Sequence, residues 1–196
     1  MNTDMHGGKT MAGNTENGGG RRGSRWRKAA WAVAALILLL PLVAMQFTDD
    51  VKWDVADFAF AGALLIGTGI TYELAVRKTG DTAYRAAVGV ALAAAFILVW
   101  VNGAVGIIGT GSDHANLMYG GVLAVGIIGA IIARFQPHGM ERALFATALA
   151  QSLVAVIALA AGLGSTGPVW PLDILALTGF FVALFVGSAL LFRKAA

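Results

Sequence analysis

The chain has 196 residues, 58% of them hydrophobic and 13% charged, with a net charge of +3 and no cysteine; its mean hydropathy is +0.74. Soluble domains carry about a quarter charged residues, so this composition excludes a disordered chain, an ordinary water-soluble enzyme and a nucleic-acid binder built on a basic surface. The absence of cysteine removes disulfides, thiolate metal sites and cysteine nucleophiles together.

Residues 1–28 are rich in Gly, Asn and Thr, lack apolar periodicity, and end in Arg21, Arg22, Arg25, Arg27 and Lys28. A segment of this kind buries too little surface to offset its ordering entropy. It is expected to be a flexible tail whose basic cluster holds anionic lipid headgroups beside the membrane. Six apolar runs follow, at about 29–47, 55–76, 86–108, 117–135, 141–163 and 172–193. Each is long enough, at about 1.5 Å per residue, to cover a hydrocarbon core of about 30 Å. Their continuity excludes the period-two pattern of barrel strands. The expected fold is therefore all-α, a polytopic bundle of six transmembrane helices with short connections.

Placing the tail in the cytoplasm puts every Lys and Arg except Lys52 on the cytoplasmic side. Asp49, Asp50, Asp54, Asp57, Asp113 and Asp173 collect on the opposite side. The positive-inside rule then sets both termini in the cytoplasm. Trp26, Trp31, Tyr72 and Tyr84 fall near the inner boundary, and Trp53, Trp100, Tyr119 and Trp170 near the outer one, as membrane aromatic belts require. A rival reading takes residues 21–44 as a cleaved secretory signal, with Pro41 before Leu42-Val43-Ala44. That reading leaves five spans.

Helices in lipid associate through close packing and polar contacts. Small residues abound in the second to fifth runs, including Gly67, Gly103, Gly120, Gly121, Gly126 and Gly129, and are expected to admit neighbouring backbones. The bulky sixth run, with Phe180, Phe181, Phe185 and Phe192, is expected to turn its aromatic side towards lipid or a partner. The hexapeptide AVGIIG occurs at 104–109 and again at 124–129, at different depths of the third and fourth runs, so it does not define a structural repeat.

Ionisable residues in a membrane are costly and mark function, yet none lies near the middle of a run. This disfavours a proton-coupled pump, and with no intramembrane Lys it excludes a retinal Schiff base. His6, His114 and His138 all lie outside the runs, so none is placed to ligate haem. No cofactor is expected. The deepest carboxylate, Glu73, is spaced to pair with Arg77 at the membrane boundary. Neutral polar residues do reach depth: Gln151, Ser152, Thr147, Thr68 and Asn102. They serve as interhelical hydrogen-bonding groups or, in the sharper reading, line a path for a small neutral solute. Asp54, Asp57, Asp113 and His114 form a weak candidate cluster for a divalent cation. The simpler reading makes Asp54 and Asp57 a helix cap and a dipole partner. No GxSxG, HExxH, Walker A or dinucleotide-binding motif is present.

The stretches PLVAMQFTDDVKWDVADF, GDTAYRAAVGVALAAAFILVWVNGAVGIIG and GGVLAVGIIGAIIARF resemble a group of small uncharacterised bacterial inner-membrane proteins. That resemblance covers most of the chain after residue 40 and implies a bacterial inner membrane; the group has no assigned activity, so no residue role carries over. The expected function is that of a non-catalytic membrane protein, an accessory or scaffolding subunit bound to a protein partner or to its own copies, with no nucleic acid. The alternatives are a facilitator for a small neutral solute and a membrane enzyme using the outer aspartates.

Overall fold

The computed structural model describes residues 18–47, 53–77, 79–110, 113–165, 167 and 169–196. Six α-helices account for nearly all of them: α1 (Gly18–Ala44), α2 (Val55–Val76), α3 (Thr82–Ala104), α4 (Met118–Ile132), α5 (Pro137–Ala160) and α6 (Leu172–Lys194). A single 3-10 turn, His114–Leu117, precedes α4, and no strand occurs among the described residues. The chain is all-α. Helices α2, α3, α5 and α6, and α4 together with its 3-10 turn, are each long and apolar enough to cross a membrane. The chain is thus a multi-pass membrane protein. Within α1 the stretch Trp31–Ala44 is apolar.

Two compact units divide the chain at Gly62. In the first, α1 begins at Gly18 rather than near residue 29, so the segment holding Arg21 to Lys28 is helical. Arginine and lysine are good helix formers, and the charge of this segment disguises its continuity with the apolar run behind it. Residues 1–17, and the side chains of Arg21, Arg22, Arg25, Arg27 and Lys28, lie outside the described part. The start of α2 is fixed by a reciprocal cap: the Asp57 amide donates to Asp54 Oδ1 at 2.9 Å, and the Asp54 amide donates to Asp57 Oδ2 at 3.0 Å.

The second unit, Ala63–Ala196, holds the core. Its helices pack as a row in which α4 lies on α5, α5 on α6, and α6 on α3, while α3 and α4 barely touch. Two glycines set the α4–α5 approach: a Cβ on Gly129 would stand 2.7 Å from Ala143 Cβ, and one on Gly126 would stand 3.2 Å from Thr147 Oγ1. The α3–α6 contact carries a hydrogen bond from Ser188 Oγ to the Ala87 carbonyl at 2.7 Å. Interhelical bonds of this kind are worth about 0.6–2 kcal/mol, so Ser188→Ala is expected to cost about 1 kcal/mol in thermal unfolding in detergent.

The sixth helix departs from expectation. Phe181, Phe185 and Phe192 are buried at the centre of the bundle, while Leu172, Leu175, Phe180 and Leu190 look outward. The aromatic face fills the seam between α5 and α3, and Phe192 meets Tyr84 edge to face at 5.2 Å. Tyr119, the second residue of α4, is fully buried against the protein. Nor do the glycines act alike, because Gly67, Gly103, Gly120 and Gly121 face no atom within 4 Å where a Cβ would stand.

Two ends of this unit follow from the helix order. One end carries the α2–α3 and α4–α5 connections and the α6 C-terminus, with Arg77, Arg85, Arg134, Arg142, Arg193 and Lys194; it is called the basic end below. The other carries the α3–α4 and α5–α6 connections and is called the loop end.

Candidate functional site

At the loop end the apolar run of α3 stops short of its hydropathy. Ala104 ends the helix, and residues 105–110 turn back with Gly106 at φ 77° and Gly109 at φ 68°. Those left-handed angles favour glycine. Ile107 and Ile108 are buried by this turn. Asn116 holds it in place. Its Oδ1 accepts from the amides of Ile107 at 3.0 Å and Ile108 at 2.9 Å, and its Nδ2 donates to the carbonyls of Ile108 at 3.1 Å and Thr110 at 2.7 Å. Asn102 Nδ2 in turn donates to the Asn116 carbonyl at 3.0 Å. A second loop rests on the first, since a Cβ on Gly164 would meet the Gly109 nitrogen at 2.7 Å. Asn116 carried no signal in the sequence beyond being a polar residue in a short connection. Asn102 here ties a loop down.

The acidic candidates have structural duties. Asp54 and Asp57 cap α2, as above, and Asp113 accepts from the Ala115 amide at 3.0 Å to start the 3-10 turn. Among the described residues, no three His, Asp or Glu side chains gather in a way that could hold a metal ion; Asp49 and Asp50 lie outside the described residues. Glu73 and Arg77 form the expected pair, 3.7 Å apart with the arginine largely exposed. Pairs of this i,i+4 geometry contribute about 0.3–0.5 kcal/mol. Glu141 and Arg193 approach at 4.0 Å across α5 and α6, a contact that no sequence spacing announces.

The deep polar residues separate into two environments. Gln151 is fully buried on α5, and neither its Oε1 nor its Nε2 has a hydrogen-bond partner. The hydroxyls of Tyr119 on α4 and Thr178 on α6 are likewise buried without a hydrogen-bond partner. Unsatisfied buried amides cost about 1–3 kcal/mol, so Gln151→Met, which keeps length and removes both polar atoms, is expected to raise the unfolding temperature. Ser152 spends its hydroxyl on the Ala148 carbonyl at 2.9 Å.

Thr68 and Thr147, by contrast, share a cavity of about 510 Å³ in the gap between α3 and α4. Gly67, Thr68 and Thr71 of α2 form one wall, Ala91, Ala95 and Phe96 of α3 a second, and Gly126, Ile127 and Ile131 of α4 a third. Leu144 and Thr147 of α5, with Phe185 of α6, make the floor. The Thr71 hydroxyl donates to the Gly67 carbonyl and the Thr147 hydroxyl to the Ala143 carbonyl, both at 2.8 Å. Their polarity is thereby spent on the helix backbone, and the cavity presents an apolar surface. Of the proposed solute-lining residues, Thr68 and Thr147 come together here, while Gln151, Ser152 and Asn102 do not line it. Comparison of the chain with protein-family models, curated proteins and solved structures finds no match.

Proposed function

We propose that the chain is a non-catalytic membrane protein that works by binding, as an accessory or scaffolding subunit in a bacterial inner membrane. The observation that carries this reading is the outer face of α4. Gly120 and Gly121 meet nothing within 4 Å, Ala124 is exposed beside them, and Leu117, Ile128 and Ile132 are exposed around the notch. Small residues flanked by branched ones allow a second helix to approach closely in lipid. Chemistry-bearing groups support the same reading, because the carboxylates of Asp54, Asp57 and Asp113 are occupied as caps. The basic segment at the start of α1 adds attraction for anionic headgroups, at about 1 kcal/mol per residue near the surface.

In this reading α1 completes six spans and both termini lie in the cytoplasm, supported by the gathering of Lys and Arg at one end. The cysteine-free sequence permits a direct test. Single cysteines at Thr79 and Gln136 are expected to react with an impermeant maleimide only from the cytoplasmic side, and one at His114 only from outside; the reverse pattern overturns the orientation. For the subunit role, native mass spectrometry of protein taken from its own membrane is expected to show a stoichiometric second polypeptide. Gly121→Leu should remove it and Leu153→Ala, on the exposed face of α5, should keep it. A lone monomer in the unaltered protein overturns the role.

A further inference from the structure

We infer that the cavity between α3 and α4 is a lipid site: it takes one acyl chain of an anionic phospholipid, whose phosphate rests on Arg85 and Arg134 at the basic end. Four observations carry this. First, the space is not closed by protein, because α3 and α4 scarcely meet and the cavity between them holds about 510 Å³, within the range of real ligand sites, about 300–1,000 Å³. Second, it opens sideways. Ile127 and Ile131 on α4 are 61% and 64% exposed although they line it, and Gly67 across from them on α2 faces no atom. The opening therefore gives on to the hydrocarbon around the bundle.

Third, the interior suits hydrocarbon and not a polar solute. Two of its three threonine hydroxyls are donated to their own helices, and apolar cavities of this kind stay dry. Fourth, charge stands where a headgroup would be. The cavity reaches Val88 and Phe135 near the basic end. There the Tyr84 hydroxyl donates to the Phe135 carbonyl at 2.8 Å and draws the start of α3 to the end of α4. Arg85 and Arg134 are the chain neighbours of the two bonded residues, and both are exposed. Two exposed arginines, each one residue from this link, supply the positive charge that a phosphodiester at this end of the cavity requires.

The site is distinct from the outer face of α4 that carries the subunit reading, and the two fail separately. The test places the full chain in vesicles of phosphatidylcholine and phosphatidylglycerol, with a trace of phosphatidylglycerol bearing a mid-chain diazirine. Irradiation and peptide mapping are expected to find adducts on Ala91–Val99 of α3 and on the cavity side of α4. Ala91→Phe fills the space, so the acyl chain is excluded sterically and that labelling should fall to the level of positions outside the cavity. Adducts at Leu153, on the lipid-facing side of α5, should be unchanged. Gly67→Leu serves as an independent filling variant should Ala91→Phe fail to fold. Equal cavity labelling in filled and unfilled proteins overturns acyl-chain occupancy. A phosphatidylcholine probe that labels as well as phosphatidylglycerol, or a preference that survives the double change Arg85→Gln and Arg134→Gln, overturns the headgroup seat.

Discussion

Asn116→Ala is expected to be the most damaging single polar substitution in the chain. The side chain makes four hydrogen bonds to the backbone of residues 107–110 and is itself buried. Its loss strands the amides of Ile107 and Ile108, both residues at 2% exposure or less, where water cannot replace the partner. At about 1–3 kcal/mol per buried group left unsatisfied, the change should cost about 4 kcal/mol. Asn116→Asp keeps the acceptor for the two amides but exchanges the donors for a charge beside the Ile108 and Thr110 carbonyls, so it should be no milder. Asn102→Ala removes one bond, to the Asn116 carbonyl, and should cost about 1 kcal/mol. Thermal unfolding of the three variants in detergent checks the ranking; equal losses at Asn102 and Asn116 would show that the loop is held some other way.

This loop also marks where the sequence stops being legible. Helix positions follow from hydropathy because lipid demands long apolar runs, and the second run matches α2 at both ends, 55–76 against Val55–Val76. The third run, taken to 108, overshoots because Val105, Ile107 and Ile108 are as apolar as the helix before them. What ends α3 is a glycine pair at positive φ together with an asparagine eight and nine residues beyond the isoleucines it holds. The two copies of AVGIIG make the point within one chain. At 104–109 its glycines reverse the backbone; at 124–129 they lie inside α4, and Gly126 and Gly129 bring it against α5. Identical local sequence takes the conformation that its tertiary partners support, here Asn116 for the first copy and Thr147 and Ala143 for the second.

Side-chain direction was legible only in part for the same reason. Composition marked α6 as bulky, but which face is buried depends on neighbours, and Phe181, Phe185 and Phe192 fill the seam that the small residues of α3 and α5, Ala87, Ala94 and Ala158 among them, leave open. The capping of α2 by Asp54 was legible because it is a matter of spacing within one turn, whereas the return bond from the Asp54 amide to Asp57 came only with the structure. The cavity was not, since it arises from α3 and α4 standing apart, a property of no single segment. Thr68 and Thr147 were singled out for their polarity, and they do meet at one site, but the hydroxyl of Thr147 turns away into its own helix.

Two glycines of α4, eight residues apart, should respond to the same substitution with opposite signs. At Gly129 a Cβ would stand 2.7 Å from Ala143 Cβ and 3.3 Å from its Cα, so no side-chain rotation relieves the clash. Leucine there must push α4 away from α5, opening the contact at Gly126 and Thr147 as well; overpacking of this kind costs about 1–3 kcal/mol, and the loss of neighbouring contacts places Gly129→Leu at the upper end. At Gly121 the space is open. Leucine adds no collision and replaces the poorest helix former short of proline, a gain of about 0.5–1 kcal/mol in helix propensity. The isolated protein carrying Gly121→Leu should therefore unfold at the same temperature as the parent or slightly above it, while losing its partner in the native membrane. A Gly121→Leu protein that is destabilised on its own would mean that this face packs within the chain, and the subunit reading would lose the surface it rests on.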